Sequence, residues 1–162
     1  MAFNKDKPKV ITRYISSDRY FDIDSFGIKQ NLYLKTKDKK DGEISVICID
    51  NLSTYFDKNE ERIYIYGDNL LYQNSKTKTI ARADIKVKEL KGIKTETEDV
   101  LKLIHTSKRH YNITTYPNSN ALFQLIMAKK IASISELKLR ENWGKYLKRN
   151  KQINEKRKIQ NK

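Results

Sequence analysis

Four residues have the right types for acid–base chemistry: Arg82 and Asp84 in "ARAD", and His110 and Asn112 in "KRHYNITTYP". An imidazole can trade a proton near neutral pH, and a guanidinium can hold a phosphate or a developing anion. An asparagine can orient either partner. If the fold makes the four converge in an open cleft, they supply a metal-independent ribonuclease or toxin-like effector with His110 as general acid or base. The structural reading is the commoner one for such residues. Arg82 and Asp84 would then form an ion pair or turn contact, and His110 and Asn112 would bond within a strand–loop junction.

Other chemistries have less to stand on. His105 and His110 are the two histidines. Their spacing of five is not that of one helical face, and no HExxH pattern exists, so no metal is expected. No G-x-S-x-G elbow, G-x-G-x-x-G turn or P-loop occurs, so neither a cofactor nor a known phosphate loop is expected. The single cysteine, Cys48, excludes an intrachain disulfide. It lies in the apolar run "ISVICID" and reads as a buried, inert thiol.

The elements that must position these residues follow from patterning. Val10–Ser16 is β-branched and apolar and predicts a strand. A second strand is expected around Asn31–Thr36, then a charged turn over Lys37–Gly42. "EISVICID" is the clearest strand, apolar enough for a central position covered on both faces. "NEERIYIYGDNLLYQNSK" fits a helix, with Ile63, Tyr66 and Leu70 on one face, slightly better than a strand. Alternation of Ile85 and Val87 with Lys86 and Lys88 predicts a half-buried strand. "TEDVLKLIHTS" fits a short helix or an anchored loop. "HYNITTYP" reads as the last strand, ended by Pro117. Helical spacing of Ala121, Leu122, Leu125, Ile126, Ala128 and Ile131 follows, capped from Asn118–Asn120. A second helix, capped by Ser133 or Ser135, would bury Leu137, Leu139, Trp143 and Leu147. The fold class expected is α+β: an N-terminal mixed or antiparallel sheet, then C-terminal helices. Residues 1–9 read as a flexible N-terminus, 10–150 as one domain and 151–162 as a basic disordered tail.

Charge is the strongest functional signal. The chain has 34 Lys plus Arg against 20 Asp plus Glu, a net of +14. Residues 138–162 hold 10 basic and 2 acidic residues, +8, leaving 24 minus 18, +6, for the other 137. Such a field attracts a polyanion. Lys138, Arg140, Lys145, Lys148, Arg149, Lys151 and Arg157 would contact phosphates, and Trp143 and Tyr146 would stack on unpaired bases. No apolar run approaches the length of a bilayer span. "MAFNKDKPKV" lacks the apolar segment of a signal peptide, so a cytoplasmic location without membrane partners is expected.

Arg13–Tyr14, "EISVICID", Arg82–Ala83–Asp84 and His110–Tyr111–Asn112–Ile113 with Pro117 occur in an order that resembles a group of small bacterial proteins without assigned activity. Those share an "RY" segment, an "LSV"-like strand, "R-A-D" and "H-x-N-I". The resemblance covers roughly residues 10–132. It implies a compact bacterial domain from a larger operon or an antiviral defence island, and no mechanism. The function expected from the residues is a small bacterial or phage accessory protein. It would bind DNA, RNA or a nucleoprotein through the C-terminal helix and tail. A ribonuclease using His110, or a subunit docking onto a larger protein partner, are the alternatives.

Overall fold

The computed structural model describes residues 4–34, 44–50, 55–57, 62–64, 79–93, 101–114, 121–140 and 142–160. In chain order the strands and helices are β1 (Val10–Ile15), β2 (Phe21–Asp22), β3 (Gly27–Ile28), β4 (Ile44–Cys48), β5 (Tyr55–Asp57), β6 (Arg62–Tyr64), β7 (Ala81–Lys86), α1 (Val87–Lys91), β8 (Lys102–Ser107), β9 (His110–Thr114), α2 (Ala121–Ile134), β10 (Glu136–Leu139) and α3 (Trp143–Gln160). Two 3-10 turns, Asp18–Tyr20 and Gln30–Tyr33, flank the β2–β3 hairpin. The protein is an α+β fold built on a six-stranded sheet of order β10-β7-β1-β4-β9-β8. Every neighbouring pair in that sheet is antiparallel.

Strand alternation explains where the core lies. Directly paired residues share a face. Ile11 pairs with Cys48 and Ile85, Val46 with Tyr111, Ile44 with Ile113, and Ala83 with Leu137. All nine are buried in one cluster with Met127, Ala128 and Ile131 of α2. Those three recur at helical spacing, so one stripe of α2 meets the inner face of the sheet. Tyr33, fully buried, ties its turn to the end of α2: its hydroxyl donates to Ser135 Oγ (2.6 Å), whose own hydrogen goes to the Ile131 carbonyl (2.7 Å). The opposite face of the sheet carries a smaller apolar patch of Ile47 and Ile49 with Val10 and Tyr14.

"EISVICID" is the central strand β4, as its apolar run predicts. Several other segments depart from expectation. Gln30–Tyr33 is a 3-10 turn, where a strand was expected from Asn31; the rest of that strand and the Lys37–Gly42 turn lie outside the described residues. Arg62–Tyr64 pairs with Tyr55–Asp57, so the helical reading fails there; Tyr66 and Leu70 lie outside the described residues. Lys102–Ser107 is a strand, neither helix nor loop. The alternation around Ile85 ends at Lys86, and Val87 begins α1. Leu137 and Leu139 belong to β10, not to a second helix, and β9 is therefore not the last strand. A four-residue apolar–polar alternation, "ELKL", is too short for periodicity to separate strand from helix. Caps at Asn118–Asn120 and the strand end at Pro117 lie outside the described residues.

The chain beyond residue 150, expected to be disordered, continues α3 as helix to Gln160. Loss of apolar periodicity there signals a helix without a docking face rather than no helix. Most side chains after Asn150 are exposed.

Candidate nucleic-acid interface

The register places the four acid–base candidates on one face of the sheet but not in one site. Asp84 pairs with Thr12, Thr12 with Ile47, and Ile47 with His110, in a single row across four strands. Asn112, two residues beyond His110, shares that face. Strands β1 and β4 stand between the two pairs. At the usual strand spacing this separates Asp84 from His110 by about 14 Å. No single reacting group spans that gap.

Arg82 and Asp84 are engaged with one another instead. Arg82 Nε lies 2.9 Å from Asp84 Oδ1 and donates to Oδ2 at 3.2 Å. Their side chains are 6% and 11% exposed, so this is a closed, buried ion pair. Burial pushes the Asp84 carboxyl above its usual value of 3.8, against the pull of the Arg82 charge. His110 opens β9 just after the two-residue turn Lys108–Arg109, where Lys108 sits at φ 48°. Arg109 clamps neighbouring backbone: its Nη1 donates to the carbonyls of Cys48 (3.2 Å) and Asp50 (2.7 Å). The Asp50 carboxylate in turn accepts from the amides of Lys9 (2.6 Å) and Val10 (2.9 Å). Tyr111 is buried and its hydroxyl donates to the Lys5 carbonyl (2.6 Å). Cys48 is fully buried, and burial pushes its thiol up to about 11.

The basic C-terminal residues divide into two sets. Lys138 is on β10, 3.1 Å from Glu136. Arg140 stacks over the Tyr146 ring at 3.7 Å and donates to the Thr79 carbonyl at 3.3 Å. Trp143 meets Phe21 edge to face at 5.6 Å, and both Trp143 and Tyr146 pack on the core. These aromatic rings are engaged within the fold, which removes much of the surface that base stacking needs. Asn150, 2% exposed, pins the middle of α3 by donating to the Ser16 carbonyl (3.0 Å).

The second set faces outward. Lys145, Lys148, Arg149, Lys151, Lys156 and Lys158 are all exposed. At 3.6 residues per turn, Lys145, Lys148, Arg149 and Lys156 fall within about 100° of arc, opposite the docked arc of Trp143, Tyr146, Leu147 and Asn150. Lys151 reaches toward Asp18 at 3.9 Å. Arg157 is only half-exposed and points to the docked side. Glu155 is the one acid in α3, against seven basic residues. Lys156 and Lys158 are not among the residues that composition points to, because the apolar pattern of 151–162 shows no face. The spacing of Lys145, Arg149 and Lys156, at i, i+4 and i+11, is the signal that reveals the stripe.

No family model matches the chain, and no curated protein or solved structure matches it. The resemblance expected from the order of short motifs has no family match beside it. Among the described residues, no helix is long and apolar enough to cross a membrane.

Proposed function

We propose that the protein is a small accessory factor that binds nucleic acid through the outward face of α3. The observation that carries this reading is the stripe of Lys145, Lys148, Arg149 and Lys156 on a helix whose other side is docked. Docking of its first half sets these charges in a line, Lys145 to Lys156 spanning about 17 Å along the axis, which suits a row of phosphates. Affinity then comes from release of condensed counterions and carries little sequence information. Base stacking contributes little, because Trp143 and Tyr146 are packed against Phe21 and Arg140.

The test is charge removal by substitution. Truncation after Asn142 would also strip Trp143, Tyr146 and Leu147 from the core and confound any loss of binding. The variant Lys145→Gln, Lys148→Gln, Arg149→Gln, Lys156→Gln keeps helix-forming residues at exposed positions. It should melt like the wild type and bind a labelled oligonucleotide at least tenfold more weakly in fluorescence anisotropy. Wild-type protein without measurable affinity at low salt would end the proposal.

A further inference from the structure

Among the described residues, strand β10 has β7 on one side and lies at the end of the sheet, with β3 of the β2–β3 hairpin packed close to it. Its backbone groups alternate in direction. The Arg140 amide donates to the Ile80 carbonyl at 2.9 Å. Glu136 lies opposite Asp84 and Lys138 opposite Arg82. In that register residues 136, 138 and 140 bond to β7, and the amides and carbonyls of Leu137 and Leu139 point out of the sheet. A groove of about 500 Å³ follows this edge, lined by Phe26 and by residues 135–139. An edge of this kind can accept a further strand.

The charges on β10 indicate which strand. Glu136 and Lys138 emerge on the same face, 3.1 Å from one another, in register with Asp84 and Arg82 of β7. Their side chains are 64% and 33% exposed. We infer that β10 pairs antiparallel with β10 of a second copy of this chain, about a two-fold axis at Leu137. In that register Leu137 exchanges its outward amide and carbonyl with its symmetry mate. Glu136 then lies opposite Lys138 of the second copy, and Lys138 opposite Glu136. A shift of the axis to Lys138 would set lysine against lysine, so the pattern selects one register. A lysine in a short edge strand ordinarily discourages strand addition. The glutamate two residues earlier turns that deterrent into a match for this strand alone. The pairing is independent of the basic face of α3.

Sedimentation equilibrium on the full chain, from micromolar to millimolar, tests it. The wild type should show a reversible monomer–dimer equilibrium. Lys138→Glu sets acid against acid in both cross-strand pairs and should weaken dimerisation at least tenfold. The double variant Glu136→Lys, Lys138→Glu reverses both charges and should restore it. Circular dichroism melting establishes that each variant is folded. A wild type that stays monomeric throughout, or a dimer indifferent to Lys138→Glu, overturns the inference.

Discussion

At the residue scale, burial governs more of the chemistry than residue type does. Cys48 is fully buried with its thiol raised to about 11, so almost no thiolate exists at neutral pH. Labelling by a disulfide reagent should therefore proceed only at the rate of unfolding and become fast in denaturant; prompt labelling of the native protein would contradict the burial. The Arg82–Asp84 pair makes a sharper prediction. Asp84→Ala removes the carboxylate beside a buried guanidinium and should cost about 3–5 kcal/mol in urea unfolding, whereas replacing both residues by apolar ones should cost much less. Burial holds the Asp84 carboxyl above 3.8, so the folded chain binds this proton more tightly than the unfolded one. Its contribution to stability is therefore fullest below 3.8 and declines as pH rises through the folded value. The stability of the wild type relative to Asp84→Asn should fall across that acidic window, and a flat difference would refute the assignment. The residue types around Arg82, Asp84, His110 and Asn112 were legible in the sequence. Their separation was not, because which strands lie between β7 and β9 is a matter of topology, and patterning within a strand carries no record of its neighbours.

At the element scale, α3 is both a structural strut and the proposed binding surface. Trp143 packs on Phe21 and the core, so Trp143→Ala should lower stability by about 2–4 kcal/mol. At a temperature where the variant is folded, its affinity for single-stranded oligonucleotides should stay within about threefold of wild type, since loss of a true base stack is worth ~1–3 kcal/mol. Asn150→Ala should cost about 0.5–1.5 kcal/mol by removing the hydrogen bond from the buried Asn150 amide to the Ser16 carbonyl. The extent of α3 was only half legible. Its first turns announce themselves through Trp143, Leu147 and the basic residues around them. Its last turns carry no apolar face, and a polar helix looks like a tail until spacing of charge is considered. Strand β10 is hidden for the opposite reason. Leu137 and Leu139 fit the heptad-like run toward Trp143 and Leu147, and nothing local to "ELKL" reveals that β7 needs a neighbour.

At the scale of the molecule, the sequence carried the α+β class and the central place of β4, because long β-branched runs can be satisfied only inside a sheet. It also carried the polarity of charge along the chain. What it lacked was the pairing of β10 and the docking of α3, which together sort the C-terminal basic residues into those engaged in the fold and those presented outward. Lys138 and Arg140 fall in the first group, through Glu136 and Tyr146. Lys145, Lys148, Arg149 and Lys156 fall in the second. The salt dependence of binding reads that division directly. Affinity for a labelled double-stranded DNA, measured over a series of potassium chloride concentrations, should fall linearly on a double-logarithmic plot. In the variant carrying glutamine at 145, 148, 149 and 156 the slope should be shallower by about 3–4, since each lost phosphate contact removes ~0.9. A variant that keeps the slope and the affinity of the wild type would contradict the assignment of this face.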